Sequence, residues 1–363
     1  MFESCTGPPQ PCLRDGVGLP ASPFRSPEGV QEIRPKENDL STARGALELP
    51  LTQDGAVLHA QILRKGSPNM PLSRAVAVLG MHRTGTSVLA RGLESLGVSL
   101  GDDFLDTKPD NPTGYWEDRN IVGFNERVLE VFGLKWESVA YIEDAQWEQP
   151  ELEAIRADAV EYIREKFGAC PLWGFKDPRT VRLLPFWASV FPLIKVEESY
   201  LVVIRNPLSV ASSLLERQGM DAATSHSLWL LYMVPYLGRI ANKPFVITDY
   251  DLFMAEPLRQ LERIPQTLDL PRAEETDARV EDFVANFIDP GLRHTQFGRH
   301  DFDLIPHLSL LVQKAYLALR QMAVEQSGSD RFRFWPEWEQ IMSSTRDLFR
   351  VDVQTGVQEK PDR

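Results

Sequence analysis

The sequence predicts an α/β fold of three layers, in which a mostly parallel central sheet is flanked by helices on both faces. Two observations carry this prediction. Four short apolar segments are continuous rather than alternating, which is typical of strands buried on both faces of a parallel sheet. Segments whose apolar residues have helical spacing lie between these strands, and such alternation predicts an α/β architecture.

The first predicted strand is AVAVLG, residues 75–80, which ends in a glycine. A helix is predicted directly after it, because Leu89, Leu93 and Leu96 follow the i, i+4, i+7 spacing and Gly97 stands where a helix commonly ends. The other predicted strands are LWGFK at 172–176, YLVVI at 200–204 and FVIT at 245–248. The other predicted helices cover residues 152–167, 208–217, 225–240 and 304–326.

Composition narrows the classes of protein to which the chain can belong. It has 363 residues, with 39 Lys+Arg against 52 Asp+Glu and a formal net charge of −13. The length allows two domains or one large α/β core with appendages. The acidic balance argues against general binding of nucleic acid or of an anionic membrane, because like charges repel. Three cysteines without C-x-x-C spacing favour a reducing compartment, so a cytoplasmic protein is predicted.

Two further features concern the organisation of the chain. The longest apolar stretch, residues 228–237, is about half the roughly 20 residues that a membrane span needs, so no span is predicted. The first 50 residues hold eight of the 27 prolines, which predicts a proline-rich flexible leader over residues 1–70. The catalytic domain is predicted over residues 71–345, and a polar C-terminal tail over residues 346–363.

The most informative segment is GMHRTGTS, residues 80–87, between the first predicted strand and the first predicted helix. Two glycines five residues apart permit a tight turn, and the backbone N–H groups and helix N-terminus that follow favour a phosphate anion. This P-loop-like reading competes with a glycine-rich turn that binds no ligand. Nucleoside triphosphatases carry a lysine before the final Ser or Thr, whereas Thr86 stands there and Arg83 supplies a cation inside the loop. The loop therefore favours a shorter phosphate chain and no obligatory metal.

Several segments resemble the motifs of one enzyme family. GMHRTGTS at 80–87 resembles the 5′-phosphosulfate loop of sulfotransferases that use 3′-phosphoadenosine-5′-phosphosulfate (PAPS), and VVIRNPLSVASSL at 202–214 resembles their 3′-phosphate motif. NPTGYWED at 111–118 and GFKDPRT at 174–180 resemble signatures of the bacterial-type branch, which often acts on sugars or small metabolites. IDPGLRHTQ at 288–296 is similar to a late segment that contributes a histidine near the nucleotide.

The resemblance implies PAPS as sulfuryl donor, no metal, and a carbohydrate or small-molecule acceptor. The residues that it implies for nucleotide binding are Arg83, Thr84, Gly85, Thr86, Ser87, Arg205 and Ser213. The local sequence agrees for Arg205. Asn206 can cap and Pro207 can start the next helix, which leaves Arg205 at the carboxyl end of a strand, where α/β folds place ligand contacts.

Three residues are implied as catalytic. Arg83, always cationic, would stabilise charge on the leaving phosphate, and Lys176 at a strand end would meet the sulfuryl or bridging oxygen. A salt bridge with Asp177 is the structural alternative for Lys176. Glu117 is the predicted base, since the preceding Trp116 would desolvate its carboxylate and raise its pKa.

The role of Glu117 has alternatives. A structural Glu117 would pair with Arg119 or cap a helix that starts at about Asn120. The rival bases are Asp177, His82 and His294. The tryptophans that offer stacking surfaces for a sugar are Trp116, Trp136, Trp173, Trp187 and Trp229, but scattered tryptophans are more typical of a core and none is assigned.

Two other functions stay open at this stage. A nucleotide kinase or nucleoside triphosphatase needs the loop lysine and an aspartate for Mg²⁺, and Thr86 removes the first of these. A non-catalytic nucleotide-binding module would bind the nucleotide without turning over any acceptor.

Overall fold

The computed structural model describes residues 73–107, 114–289, 291, 295, 297–305, 308–325 and 328–350. The predicted leader lies outside these residues, as do His294 and the first three residues of the NPTGYWED segment.

The described residues form four strands and eleven α-helices. The strands are β1 (Arg74–Leu79), β2 (Leu172–Lys176), β3 (Glu197–Ile204) and β4 (Phe245–Asp249). The helices are α1 (Thr86–Ser95), α2 (Arg119–Val131), α3 (Glu151–Phe167), α4 (Leu184–Ile194), α5 (Pro207–Gln218), α6 (Ala222–Met233), α7 (Tyr250–Ala255), α8 (Pro257–Leu268), α9 (Thr276–Asn286), α10 (Leu310–Glu325) and α11 (Gly328–Phe349). None of these helices combines the length and the apolar character that a membrane span requires.

The strands form one sheet in the order β2–β1–β3–β4, and every neighbouring pair is parallel. Successive residues point to opposite faces, so Ala75 and Ala77 of β1 belong to one core and Val76 and Val78 to the other. Helices α2 to α6, α10 and α11 pack on the first face, and α1 and α7 to α9 on the second. The predicted three-layer α/β fold is confirmed.

The four predicted strands are present, each with bounds within three residues of the prediction. The predicted helix over residues 225–240 is two elements instead. Helix α6 ends at Met233, Pro235 follows, and a 3-10 turn covers Leu237–Ile240. Proline has no N–H to continue the helical hydrogen bonds, which explains the break. The helix predicted from residue 304 begins at Leu310, because Arg299–Leu304 forms a 3-10 turn.

The end of the domain also differs from the prediction. The sequence predicts a polar tail from residue 346, and α11 continues through the first residues of that range, to Phe349. Phe334, Trp338 and Ile341 recur at helical spacing and are buried in the core, which makes this segment part of the fold. Thr345 is buried too, and its hydroxyl donates a hydrogen bond to the Ile341 carbonyl at 2.8 Å.

The order of the strands creates a topological switch point between the central strands β1 and β3, at the carboxyl ends of these strands. Leu89 and Leu93 of α1 lie in one core, whereas Leu208 and Leu214 of α5 lie in the other. The helices that follow the adjacent strands β1 and β3 therefore leave toward opposite faces. Open α/β sheets bind ligands where the connections diverge in this way, at the carboxyl ends of the strands.

Candidate active site

The turn at residues 80–85 connects β1 to α1 and lies at the carboxyl end of β1. Thr84 closes this turn, because its backbone N–H and its hydroxyl both donate to the Met81 carbonyl, at 3.2 and 2.8 Å. Thr84 is fully buried. The predicted nucleotide-binding residue Thr84 therefore uses both of its donors within the loop in this structure.

Both glycines of the turn lie so close to neighbouring groups that a side chain would not fit. A Cβ atom at Gly80 would lie 2.6 Å from the Val203 carbonyl oxygen of β3. Gly85 has a φ of 90°, and a Cβ atom there would overlap the ring of Tyr250. Gly85 precedes α1, which no side chain among the described residues caps. The first N–H groups of α1, beginning at Thr86, thus point out of a helix N-terminus, where anions bind favourably.

Three predicted nucleotide-binding residues meet beside this loop. The Arg83 Nε atom donates to the Ser213 hydroxyl of α5 at 2.8 Å, although the two residues are 130 positions apart. Arg205, which follows β3, donates from Nη1 to the Arg83 carbonyl at 3.3 Å and from Nη2 to the Thr295 carbonyl at 3.1 Å. The Arg205 guanidinium lies 4.7 Å from the centre of the Tyr250 ring. The β1 loop, the end of β3 and α5 thus bring Arg83, Arg205 and Ser213 together in a cationic cluster.

Lys176 stands at the end of β2, with 2% of its side chain exposed. Its ammonium contacts the Glu117 Oε1 atom at 2.5 Å, the Tyr115 carbonyl at 3.0 Å and the Ser87 hydroxyl at 3.3 Å. The Ser87 hydroxyl also donates to the Tyr115 carbonyl at 3.2 Å. Lys176 therefore joins the phosphate-binding turn to the segment that carries Glu117, and the alternative salt bridge with Asp177 does not form.

The Glu117 carboxylate is buried between two cations. Lys176 lies at 2.5 Å, and the Arg179 Nη1 atom lies 4.0 Å from the second carboxylate oxygen. Burial raises the pKa of Glu117, and the ammonium of Lys176 opposes that rise. A raised pKa in a site with little access to water is the property expected of a general base.

Neither of the structural contacts predicted for Glu117 forms. Arg119 instead forms an ion pair with Asp103 at 3.5 Å. The cap of α2 is Asp118, whose carboxylate accepts hydrogen bonds from the backbone N–H groups of Asn120 and Ile121, both at 3.0 Å. The capping role thus belongs to the residue next to Glu117.

Asp177, a rival base, is fully buried and already accepts several hydrogen bonds. The Asn125 side chain donates to it at 2.8 Å, and Arg179 donates its backbone N–H at 3.1 Å and its Nη1 at 2.9 Å. Arg179 also donates to Glu126 at 3.0 Å. The sequence predicts no role for Arg179, although this residue lies within GFKDPRT. The structure places it beside Glu117, held there by Asp177 and Glu126.

His82, another rival base, packs against Trp136, with ring centres 4.4 Å apart. Its Nε2 atom is buried and has no hydrogen-bond partner among the described residues. Burial and the nearby cations hold the pKa of His82 well below its usual range, so the ring is neutral. Of the tryptophans considered for a sugar site, Trp173, Trp187 and Trp229 are fully buried in the core, whereas Trp136 is partly exposed.

The described residues contain no cluster of three or more His, Cys, Asp or Glu side chains that would hold a metal ion.

No protein-family model and no curated protein sequence matches the chain. Several solved structures are similar to it. One is the sulfotransferase domain of an olefin synthase from Synechococcus PCC 7002, at 15% identity and a TM-score of 0.37, covering 78% of this chain and 98% of that one. A second is a sulfotransferase from Mycobacterium tuberculosis H37Rv, at 13% identity and a TM-score of 0.37, covering 76% of this chain and 81% of that one.

A third similar structure is retinol dehydratase in a complex with retinol and PAP, at 13% identity and a TM-score of 0.31, covering 80% of this chain and 87% of that one.

Proposed function

We propose that this chain is a PAPS-dependent sulfotransferase, which moves the sulfuryl group to a hydroxyl or amine of a carbohydrate or small-molecule acceptor. The observation that carries the proposal is the meeting of Arg83, Arg205 and Ser213, from three separate segments, beside a loop shaped for a phosphate. This cationic cluster suits a nucleotide that carries a phosphate on its ribose in addition to its 5′ group.

The binding roles follow the positions of the residues. The backbone at Gly85, Thr86 and Ser87 would hold the 5′-phosphosulfate at the N-terminus of α1. Arg205 and Ser213 would hold the 3′-phosphate, and charge-assisted hydrogen bonds of this kind are stronger than neutral ones. Thr84 would act indirectly, by closing the turn.

PAPS, when bound, supplies a sulfuryl group whose bond to the 5′-phosphate breaks as a bond to the acceptor oxygen or nitrogen forms. Glu117 would take the proton that the acceptor loses. Arg83 would stabilise the charge that develops on the leaving phosphate. No metal is required in this scheme, because cationic side chains neutralise the phosphates.

The pair of Lys176 and Glu117 links the proton transfer to charge stabilisation. While Glu117 is ionised, it holds the Lys176 ammonium at 2.5 Å. Once Glu117 has accepted a proton it is neutral, and its attraction for Lys176 falls. The ammonium can then donate to a sulfuryl or bridging oxygen, beside the Ser87 hydroxyl that it already contacts.

The buried pair also bears on the choice between an enzyme and a non-catalytic binding module. A buried ion pair adds little stability compared with well-packed apolar side chains. A module that only bound a nucleotide would need neither a carboxylate nor an ammonium at this place. The pair therefore favours an enzyme.

The test is an assay with ³⁵S-labelled PAPS, EDTA and a pooled set of hydroxyl and amine acceptors. We expect label to pass to an acceptor as the nucleotide product, 3′-phosphoadenosine-5′-phosphate, is released, and we expect Lys176→Met to lose this transfer. Tight binding of the nucleotide without transfer to any acceptor would favour the non-catalytic module. Absence of nucleotide binding would contradict the proposal as a whole.

A further inference from the structure

We propose that a groove beside the Glu117 site holds the acceptor, and that this acceptor is a neutral or cationic carbohydrate rather than an anionic one. This inference rests on the proposed sulfotransferase function. The groove has a volume of about 300 Å³, at the lower end of the range for small-molecule sites. It is lined by Glu126, Leu129, Glu130, Leu134, Lys135, Trp136, Glu137 and Arg179.

Arg179 connects this groove to the reacting groups. Its guanidinium lines the groove, and its Nη1 atom lies 4.0 Å from the Glu117 carboxylate. Glu117 in turn contacts Lys176, which contacts Ser87 at the phosphate-binding turn. A chain of contacts through Arg179, Glu117 and Lys176 therefore connects the groove to the phosphate-binding turn.

A second connection runs through Trp136. Its ring lines the groove on one side and contacts His82, the neighbour of Arg83 in the loop, with ring centres 4.4 Å apart. The backbone at Trp136 is held by the Tyr232 hydroxyl, which donates to its carbonyl at 2.7 Å. Trp136 is thus a fixed aromatic wall between the groove and the loop.

The lining combines apolar and acidic groups in the way that suits a sugar. Leu129, Leu134 and Trp136 form an apolar wall for the C–H face of a sugar ring, and carboxylates at the mouth accept hydrogen bonds from hydroxyl or ammonium groups. The apolar wall alone would not select a polar acceptor. The carboxylates supply that selection.

The charges at the mouth set the preferred charge of the ligand. The carboxylates of Glu130 and Glu137 form no ion pair with any described residue. The cations beside them are Lys135 and Arg217, whose guanidinium lies 5.5 Å from the centre of the Trp136 ring. A third cation, Arg179, is already neutralised by Asp177 at 2.9 Å and Glu126 at 3.0 Å. The mouth is therefore net negative, and a ligand carboxylate there would be repelled.

The test measures binding of three tetrasaccharides to the protein loaded with 3′-phosphoadenosine-5′-phosphate, by saturation-transfer NMR. The probes are the tetramers of glucosamine, N-acetylglucosamine and galacturonate. We expect the glucosamine and N-acetylglucosamine probes to bind, and the galacturonate probe to bind at least tenfold more weakly. Trp136→Ala should weaken both binding probes at least tenfold, and the double variant Glu130→Gln/Glu137→Gln should reduce the discrimination against galacturonate at least threefold.

Matched controls come from a second cavity, lined among others by Trp335, Glu339 and Met342. Trp335→Ala and Glu339→Gln should leave saccharide binding unchanged. Equal binding of galacturonate would overturn the charge preference. Saccharide binding that Trp136→Ala leaves unchanged, or no saccharide binding by a protein that binds the nucleotide, would overturn the groove while leaving the proposed function intact. Failure to bind the nucleotide would instead count against the function itself.

Discussion

The Lys176 ammonium lies 2.5 Å from the Glu117 Oε1 atom, and only 2% and 7% of these two side chains are exposed. Moving both charges out of water costs free energy that their mutual attraction recovers only in part. Removing one partner is worse, because it leaves the other charge buried and unpaired. Variants of Lys176 and Glu117 can therefore be measured separately for the free energy of unfolding and for the rate of the proposed reaction.

We expect Lys176→Met and Glu117→Gln each to lower the free energy of unfolding by about 3–5 kcal/mol, the usual cost of breaking a buried pair. The double variant should lose much less than the sum of the two, because it leaves no uncompensated charge. Urea denaturation of the four proteins measures this coupling.

The exposed pair of Arg127 and Asp158 is the matched control, with a contact of 2.8 Å and side chains 44% and 53% exposed. Its coupling, from Arg127→Met and Asp158→Asn, should stay below about 1 kcal/mol. A Lys176–Glu117 coupling as small as that of the exposed pair would contradict the account of this buried pair.

Glu117→Gln should lower kcat by roughly 10²–10⁴, since glutamine keeps the shape of the side chain but accepts no proton. Rates should be given per folded molecule, because the same change destabilises the protein. Glu339→Gln, which alters an exposed carboxylate at the second cavity, should leave kcat within threefold of the unmodified protein. A Glu117→Gln protein that keeps more than about a tenth of kcat, outside the usual range for loss of a base, would rule out this role.

The pH dependence tests the same base independently. Only the ionised carboxylate accepts a proton, so kcat/KM should fall as pH drops through the pKa of Glu117. Because burial raises the pKa of Glu117, that fall should occur at a higher pH than for an exposed glutamate. The Glu117→Gln protein should lack this acid limb, and its persistence would point to another group.

Alanine substitutions of Arg205 and Arg83, the two arginines of the cationic cluster, should have different effects on the kinetics. Arg205→Ala should mainly raise the KM for PAPS, by about tenfold or more, because the 3′-phosphate is held alike before and during transfer. Arg83→Ala should mainly lower kcat, since it acts on charge that develops as the bond breaks. Arg127→Ala, which removes an exposed arginine of α2, should change neither. If Arg205→Ala and Arg83→Ala both change KM alone, Arg83 is a binding residue and not a catalytic one.

The glycine turn offers a test of the loop geometry. Gly85→Ala should abolish detectable nucleotide binding and lower the melting temperature, because φ is 90° there and the added Cβ atom would overlap the Tyr250 ring. Gly123→Ala, within α2 and with nothing within 4 Å of the added atom, should leave nucleotide binding unchanged and stabilise the helix by about 0.5–1 kcal/mol. Normal nucleotide binding by Gly85→Ala would contradict the tight turn.

Much of the fold is predictable because its signals are local. Each strand is a short apolar run. The turn at residues 80–85 is marked by two glycines, which the close approach of the Val203 carbonyl and of the Tyr250 ring requires. The cap of α2, which the sequence offers only as an alternative role of Glu117, belongs to Asp118, a difference of one residue that no periodicity resolves. Helix α11 is not predicted from the sequence, because charged residues separate its buried residues Phe334, Trp338 and Ile341.

The contacts of the candidate site were harder to predict because they join distant parts of the chain. Glu117 and Lys176 are 59 residues apart, and Arg83 and Ser213 are 130 residues apart. Motif resemblance placed these residues in one site without indicating which would touch. For that reason the sequence offers Asp177 as the alternative partner of Lys176 and indicates no role for Arg179. Lys176 and Arg179 both face Glu117 because of the backbone conformation at the end of β2. Only the folded chain defines that conformation.

The most direct test of the central claim is calorimetric titration of the protein, in EDTA, with 3′-phosphoadenosine-5′-phosphate and with ADP. These ligands share the adenosine 5′-phosphate moiety and differ in where the second phosphate lies. If Arg205 and Ser213 hold a 3′-phosphate, as we propose, the first ligand should bind at least tenfold more tightly, in line with about 1.5–3 kcal/mol for a charge-assisted contact. Equal affinity for ADP, or binding that requires Mg²⁺, would contradict the account.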